Sequence, residues 1–403
     1  MPLYDPQQLL TTVLTQFYSL DVSDIQIRSD RLIYVHTKRG LESVDSAGQI
    51  SVETVEGIAE WLFSLRVIDR YQDEETARKT GGSLMPILRE HRVMDFSTEG
   101  LPVGEGRVSG RMRVQAHLSS SGLGITCRVL NEGIAKLDAL GLSEDTCLAL
   151  REFMKRRQGL GLVTGQTGSG KSTTLAALIN WLRENQERHI VTVEDPIEYH
   201  YPSDMGHPDE PNIRIPAPGF VTQQEIGTHV MSYPQGLKDV LRKAPHVILI
   251  GEIRDRETMD TCIEAAQTGH VVISTLHTNG AVKTLSRITE FFPKERHKSL
   301  LARLSEILMF ILSQGLITGT GGRALNYEFL KNTNSAVRSG IAHYDGEARS
   351  LDDVIRQSGN VEWDTHLRAL LQRGLITHET LQMNRMNSDE EDRPFFGEEA
   401  VGF

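Results

Sequence analysis

Cysteine is scarce in this chain: Cys127, Cys147 and Cys262 are the only three in 403 residues, odd in number and far apart. No CxxC pair exists, so the sequence supports neither a disulfide framework nor a zinc site, and the thiols read as reduced groups of a cytosolic protein. Long apolar runs are missing too. The most apolar stretch, Ile307 to Leu312, is far short of the roughly 20 residues that cross a bilayer. Any membrane contact is therefore expected to be peripheral, through a partner. The start, Met1-Pro-Leu-Tyr-Asp, lacks the basic and apolar regions of a signal peptide. Positive charge is in deficit: 43 Lys and Arg against 54 Asp and Glu give a net charge of −11. No global basic field invites nucleic acid, and no direct nucleic-acid partner is expected.

What is present is an ordinary globular composition, 24% charged and 39% hydrophobic, with length for two or three domains. Residues 7–18 read as a short helix, followed by strand-like runs at Ile25–Arg28, Leu32–Thr37 and Gly40–Ser43. Over residues 53–71, Val55, Ile58, Trp61, Leu62, Leu65 and Ile68 recur at spacings of three and four, one apolar helical face. Alternating segments at 93–98, 107–118 and 123–130 complete a small α+β domain with an antiparallel sheet. Residues 131–142 read as a linker.

From about residue 143 apolar runs alternate with helices: Gly159–Thr164, Ile190–Val193, Val247–Ile250 and Val271–Thr275. That alternation predicts a mainly parallel sheet covered by helices, and continuous runs such as Val247–Ile250 suit strands buried on both faces. Residues 200–222 carry five prolines and read as a loop rather than a core element. Lys294–Leu312 reads as one long amphipathic helix, Gly319–Gly322 as a hairpin turn, and helices continue to about Asn384. The end, from Asp389 onward, is acidic and reads as a disordered tail.

The strongest signal is a phosphate-binding loop. Gly165, Gly170, Lys171 and Ser172 fit GxxxxGK[ST], with Gln166, Thr167, Gly168 and Ser169 inside the loop and Thr173 after it. Glycines let successive backbone N–H groups point inward at phosphate oxygens, and the helix beginning at Lys171 adds its positive end. Lys171 is expected to reach the β- and γ-phosphates, and Ser172 to hold Mg²⁺. A chance match in a chain of this length is roughly a one-percent event.

Acidic groups follow two of the strand-like runs: Glu194-Asp195-Pro-Ile-Glu198 after Val193, and Glu252 after Gly251. At the carboxyl ends of parallel strands, carboxylates can bind Mg²⁺ or orient the attacking water. Asp195 and Asp255 could equally begin helices as caps. His270 and His277 bracket the run Val271–Thr275. Their offset of seven is unsuited to a shared metal. His277, at the carboxyl end, is the candidate for the γ-phosphate, and His270 reads equally well as a structural hydrogen bond.

In combination, Gly165–Thr174, Val191–Glu198, Val247–Asp255 and Thr268–Asn279 resemble the Walker A, Asp, Walker B and His boxes of the PilT/GspE-type secretion ATPase superfamily of type II/IV secretion and type IV pili. Ser23-Asp24-Ile25, Arg111-Met-Arg113-Val114 and Arg128-Val129 resemble parts of that family's N-terminal domain. The resemblance implies an α/β, RecA-like P-loop ATPase domain at 143–340, behind a PAS-like α+β domain at 1–132 and a linker at 133–142. A helical segment at 341–386 and a tail at 387–403 would follow. It implies ATP and Mg²⁺ as cofactors, a homo-hexameric ring, Glu194 activating water and Glu252 holding Mg²⁺. Arg111, Arg113 and Arg128 of a neighbouring subunit would complete the site. It also implies a cytoplasmic place peripheral to the inner membrane, on inner-membrane components of the apparatus. The absent tetracysteine module, the long Pro-rich segment, Leu241-Arg-Lys-Ala-Pro-His246 before Walker B and Gln26 in a position often held by His are closer in character to DotB/TraJ-like ATPases of type IVB secretion and IncI-type conjugation. The alternatives are a type IV pilus retraction ATPase, which Ser335–Ser339 only loosely resembles, and a nucleotide-dependent regulator or scaffold.

Overall fold

The computed structural model describes residues 5–17, 22–37, 40–65, 83–98, 111–130, 133–207, 210, 213–345 and 360–386. The chain divides into two compact units. One comprises Met1–Ile134, Glu194–Pro202 and Gln223–Ser232; the other comprises Ala135–Val193, Ser203–Thr222 and Tyr233–Phe403.

In the first unit, helices α1 (Pro6–Phe17), α2 (Val52–Ser64) and α3 (Leu84–His91) accompany six strands: β1 (Asp24–Arg28), β2 (Ile33–Thr37), β3 (Gly40–Val44), β4 (Val93–Thr98), β5 (Arg111–Ser119) and β6 (Gly122–Leu130). They form one antiparallel sheet in the order β3-β2-β1-β6-β5-β4. Period-two alternation buries Ile25, Ile27, Ile33 and Val35, and these pack with Val55, Ile58, Leu62 and Phe63 of α2. Ser51 starts α2 by accepting the Thr54 N–H on its hydroxyl. The apolar face anticipated over 53–71 is a helix up to Ser64; residues 66–71, like 107–110, lie outside the described residues.

The second unit carries α4 (Glu144–Met154), β7 (Gly159–Thr164), α5 (Lys171–Asn185), β8 (His189–Glu194), β9 (Asp204–Gly206), β10 (Arg214–Pro216), β11 (Phe220–Glu225), α6 (Tyr233–Val240), β12 (Val247–Ile250), α7 (Arg256–Gln267), β13 (Val271–Leu276), α8 (Ala281–Glu290) and α9 (Lys294–Ile307). The hairpin β14 (Leu308–Gly319) and β15 (Gly322–Lys331) and helices α10 (Ser335–Ala342), α11 (Trp363–Gln372) and α12 (His378–Asn384) follow. Seven strands run in the order β11-β8-β12-β13-β7-β14-β15. The pairs β8–β12, β12–β13, β13–β7 and β7–β14 are parallel. Every residue of β7, β12 and β13 is buried, as strands covered on both faces require.

Two expectations need correction. The helix read over Lys294–Leu312 ends at Ile307, and Leu308 begins a strand paired with β7. Leu308 through Leu312 are all buried, so this run has no polar face to turn to water as an amphipathic helix would. The Pro-rich segment is likewise not a plain loop. It builds the two-stranded β9–β10 ribbon, where Pro216 ends β10, and leads into the edge strand β11. The fully buried Arg183 of α5 anchors the ribbon by donating to the Asp204 carbonyl at 3.0 Å. Within the segment read as a linker, Leu137 and Leu142 are buried and Asp138 pairs with Arg151. The acidic tail from Asp389 lies outside the described residues.

The C-terminal helices close on β14 and β15. Ile317 packs with Leu367, Leu370, Ile376 and Leu381. His366 of α11 pairs through Nδ1 with Asn326 Oδ1 at 2.8 Å and lies 4.2 Å from the Tyr327 ring. Burial, helped by the charge of Arg373, pushes its pKa down to about 4. The unfolded chain therefore takes up this proton near pH 6.5 and the folded chain does not. The stability this neutral imidazole confers is complete above that pH and declines as pH falls towards 4. The loss should reach about 2 kcal/mol by pH 5. Urea unfolding at pH 7 and pH 5 should show it, and His366→Asn should flatten the difference.

Candidate functional site

The parallel register brings the carboxyl ends of the central strands to one edge of the sheet. Thr164 of β7 pairs with Leu276 of β13, and Ile250 of β12 pairs with Ser274 of β13 and Val193 of β8. The loop Gly165–Gly170 leaves β7 on this edge and enters α5 at Lys171. Gln166, Thr167 and Gly168 are exposed, whereas Gly165 and Ser169 are buried. Gly165 has φ +144°, and a Cβ there would lie 2.2 Å from the Gln314 carbonyl oxygen and 2.5 Å from Ser169 Oγ. Only a residue without a side chain fits.

Lys171 is buried at the first position of α5. Its ammonium donates to the carbonyls of Gly165 at 2.8 Å and Gln166 at 2.9 Å. These bonds tie the cation to the first two residues of the loop. Ser172 and Thr173 follow, half-buried, in the first turn.

Glu252, two residues past β12, meets the side chains of His277 and Arg254. His277 Nε2 lies 3.2 Å from Oε1, and Arg254 Nε lies 2.7 Å from Oε2. His277 follows β13 directly, so two neighbouring strand ends supply this pair. The sequence pointed to Glu252 and His277 separately and missed Arg254, although its offset of two from Glu252 in an extended segment was a usable signal. Glu194 ends β8; its Oε1 accepts from Gln223 Nε2 at 3.3 Å. Asp195 and Glu198 are exposed and begin no helix. Asp255 does cap one, accepting the Thr258 N–H at 2.8 Å. His270 Nδ1 faces the Ala265 carbonyl at 3.2 Å, the structural alternative.

Of the three arginines, Arg113 and Arg128 are direct cross-strand partners on β5 and β6, so they share a face of the sheet. Asp24, Arg128's partner on β1, accepts from Arg128 Nε at 2.9 Å. The carboxylate relieves what would otherwise be like charges side by side. Arg111 begins β5, and its side chain lies outside the described residues.

Gln314 of β14 carried no sequence signal, because its role exists only in three dimensions. It is 2% exposed, and its Nε2 donates to the Ser169 carbonyl at 2.9 Å, tying the phosphate loop to the neighbouring strand. Gln314→Met keeps the volume and deletes this bond. The expected result is nucleotide affinity weakened about tenfold, the size of one buried hydrogen bond, read by titration with ADP.

The comparisons with known proteins fit this geometry. Residues 47–367 match the model of the type II/IV secretion system protein family. The chain belongs to that family. It is 34% identical over 329 residues to a twitching motility protein of Neisseria gonorrhoeae, covering 78% of this chain and 81% of that protein. The solved structure of the pilus retraction motor PilT with bound ADP superposes with TM-score 0.77 at 30% identity, over 96% of this chain and 99% of that one. The ATPase DotB of Legionella pneumophila superposes with TM-score 0.76 over 95% of this chain and 96% of that one; at 24% identity this likeness concerns the fold alone. The family member described here is accordingly a nucleotide-binding ATPase. Its fold is α/β with a RecA-like, mainly parallel sheet, preceded by a strand-rich α+β part and followed by helices. No helix among the described residues is long and apolar enough to cross a membrane.

Proposed function

We propose that this ATPase is the homo-hexameric motor of a conjugative or type IVB secretion apparatus, seated in the cytoplasm on inner-membrane components. The observation that carries the enzymatic part is the phosphate loop, with Lys171 drawn across its mouth and buried against two loop carbonyls. In this reading the loop N–H groups and Lys171 bind the β- and γ-phosphates, Glu194 orients and deprotonates the attacking water, and His277 faces the γ-phosphate. Arg111, Arg113 and Arg128 reach the site of a neighbouring subunit. Mg²⁺ would be held by the Ser172 hydroxyl and the Glu252 carboxylate and would neutralise phosphate charge. The donors fit. Mg²⁺ keeps most of its water and needs few protein oxygens, and Glu252 is set between His277 and Arg254, which fix its orientation.

The subtype is supported by the β9–β10 ribbon built from the long Pro-rich segment and by the lack of a tetracysteine module. Pilus retraction is the second reading, favoured by the likeness to the gonococcal twitching motility protein and to PilT. Deleting the gene and restoring either the wild type or Lys171→Ala separates them. Loss of plasmid or effector transfer with normal twitching supports the first; loss of twitching with normal transfer replaces it. Sedimentation with ATP analogue should give six times the 45.0 kDa chain. A catalytically idle chain that still restores transfer would instead make it a regulator.

A further inference from the structure

Gln223 of β11 makes a set of hydrogen bonds that exceeds what an edge strand needs. Its Nε2 donates to the Tyr199 carbonyl at 2.8 Å and to Glu194 Oε1 at 3.3 Å, while its Oε1 accepts the Tyr201 N–H at 3.2 Å. The two main-chain groups fix which way the carboxamide faces. Tyr199 offers only a carbonyl and Tyr201 only an N–H, so the amide cannot be turned over without breaking both bonds. The remaining N–H is thereby aimed at the Glu194 carboxylate. The main chain adds to the same clamp. Ile226 N–H donates to the Glu194 carbonyl at 2.9 Å. Glu225 Oε2 accepts the Ile197 N–H at 2.9 Å, and its Oε1 accepts from the Thr228 hydroxyl at 3.2 Å. The stretch Glu194–Tyr201, which has no helix or strand beyond Glu194, is thus tied to residues 223–226 through the Gln223 and Glu225 side chains and the Ile226 N–H.

We propose that Gln223 is a positioning residue for Glu194: it sets the rotamer of that carboxylate by holding one of its oxygens with a fixed neutral donor. This rests on the reading of Glu194 as the water-activating base. A carboxylate that pivots freely spends little time in the geometry proton transfer requires, whereas a donor locked by two main-chain groups has already met that ordering requirement. Gln223 touches no substrate in this scheme; it acts through Glu194.

The test is a double-mutant cycle in the whole 403-residue chain, measuring steady-state ATP hydrolysis, ADP affinity and thermal midpoint for Glu194→Gln, Gln223→Met and their combination. Glu194→Gln should lower kcat by about 10²–10⁴ with ADP affinity intact. Gln223→Met should lower kcat about ten- to a hundredfold, the range for a hydrogen bond to a charged group, with KM and ADP affinity within about twofold of wild type. In the Glu194→Gln background it should lower kcat no further, because residues that act as a unit are not additive. A merely structural role would lower kcat by the same factor in both backgrounds, and that result overturns the proposal while leaving Glu194 as the base. Wild-type kcat in Gln223→Met overturns it as well. If Glu194→Gln hydrolyses ATP normally, the base assignment itself is wrong and the proposal goes with it. Should Gln223→Met fail to fold, Gln223→Glu keeps the size and the acceptor for Tyr201 while removing both donations, and the same cycle is run with it.

Discussion

Replacing Lys171 by alanine should lower kcat for ATP hydrolysis by about 10²–10³, the loss seen when one preorganised donor is removed from a site of developing charge. The ammonium is the only side-chain cation placed within the loop, buried and held by the Gly165 and Gln166 carbonyls. In the proposed mechanism its loss removes positive charge where the transferred phosphoryl group would gather negative charge, and the loop has no second cationic side chain to take its place. It also removes a donor from the buried Gly165 carbonyl, at a cost of about 1–3 kcal/mol if no water replaces it, whereas the Gln166 carbonyl keeps the Ser169 N–H at 3.2 Å. The two consequences separate experimentally. Turnover reports the first, and the thermal midpoint of the nucleotide-free protein reports the second. Activity within tenfold of wild type would remove Lys171 from the mechanism.

Gly165→Ala should be nearly as damaging, by a different route. The added Cβ would fall 2.2 Å from a main-chain oxygen, that of Gln314, at a residue whose φ is +144°. Backbone oxygen cannot step aside as a flexible side-chain tip would. Either β14 moves away from β7 or the loop leaves its phosphate-binding form. Overpacking and a forbidden backbone angle together cost about 3–5 kcal/mol. ADP titration should show affinity lost by two orders of magnitude or more, with a lowered thermal midpoint. Gly168→Ala is a useful contrast, since a Cβ there meets nothing within 4 Å. It carries only the strain of φ +78°.

These two residues were legible in the sequence because a phosphate loop is local: its glycines, lysine and following helix lie within one stretch of chain. The buried parallel strands were legible for a similar reason, as four to six consecutive apolar residues leave few other arrangements. Gln314, Gln223 and Arg183 were not. Each is a polar residue with a partner in another part of the chain, even where, as for Arg183, it also bonds residues of its own helix, and nothing in its neighbours marks it as anything but surface. The boundary at Ile307 failed for a related reason. A helical face and a buried strand are both apolar, and Leu308–Leu312 continues the first into the second without a proline or glycine between them. The Pro-rich segment misled in the opposite direction. Proline excludes a central strand but not a two-stranded ribbon, and Pro216 ends β10 of such a ribbon.

Strand β14 has two adjacent residues with different neighbours. Gln314 holds the phosphate loop, and Gly315 lies so close to the Trp363 indole of α11 that a Cβ there would come within 2.8 Å of it. The indole N–H in turn donates to the Asn384 carbonyl at the end of α12 at 2.9 Å. A rigid strand carrying both contacts cannot shift on one side without shifting on the other. Trp363→Ala, remote in sequence from every nucleotide-binding motif, should therefore weaken ADP binding severalfold. The C-terminal helices become a handle by which whatever grips them, or lets go, sets how tightly the loop holds its nucleotide.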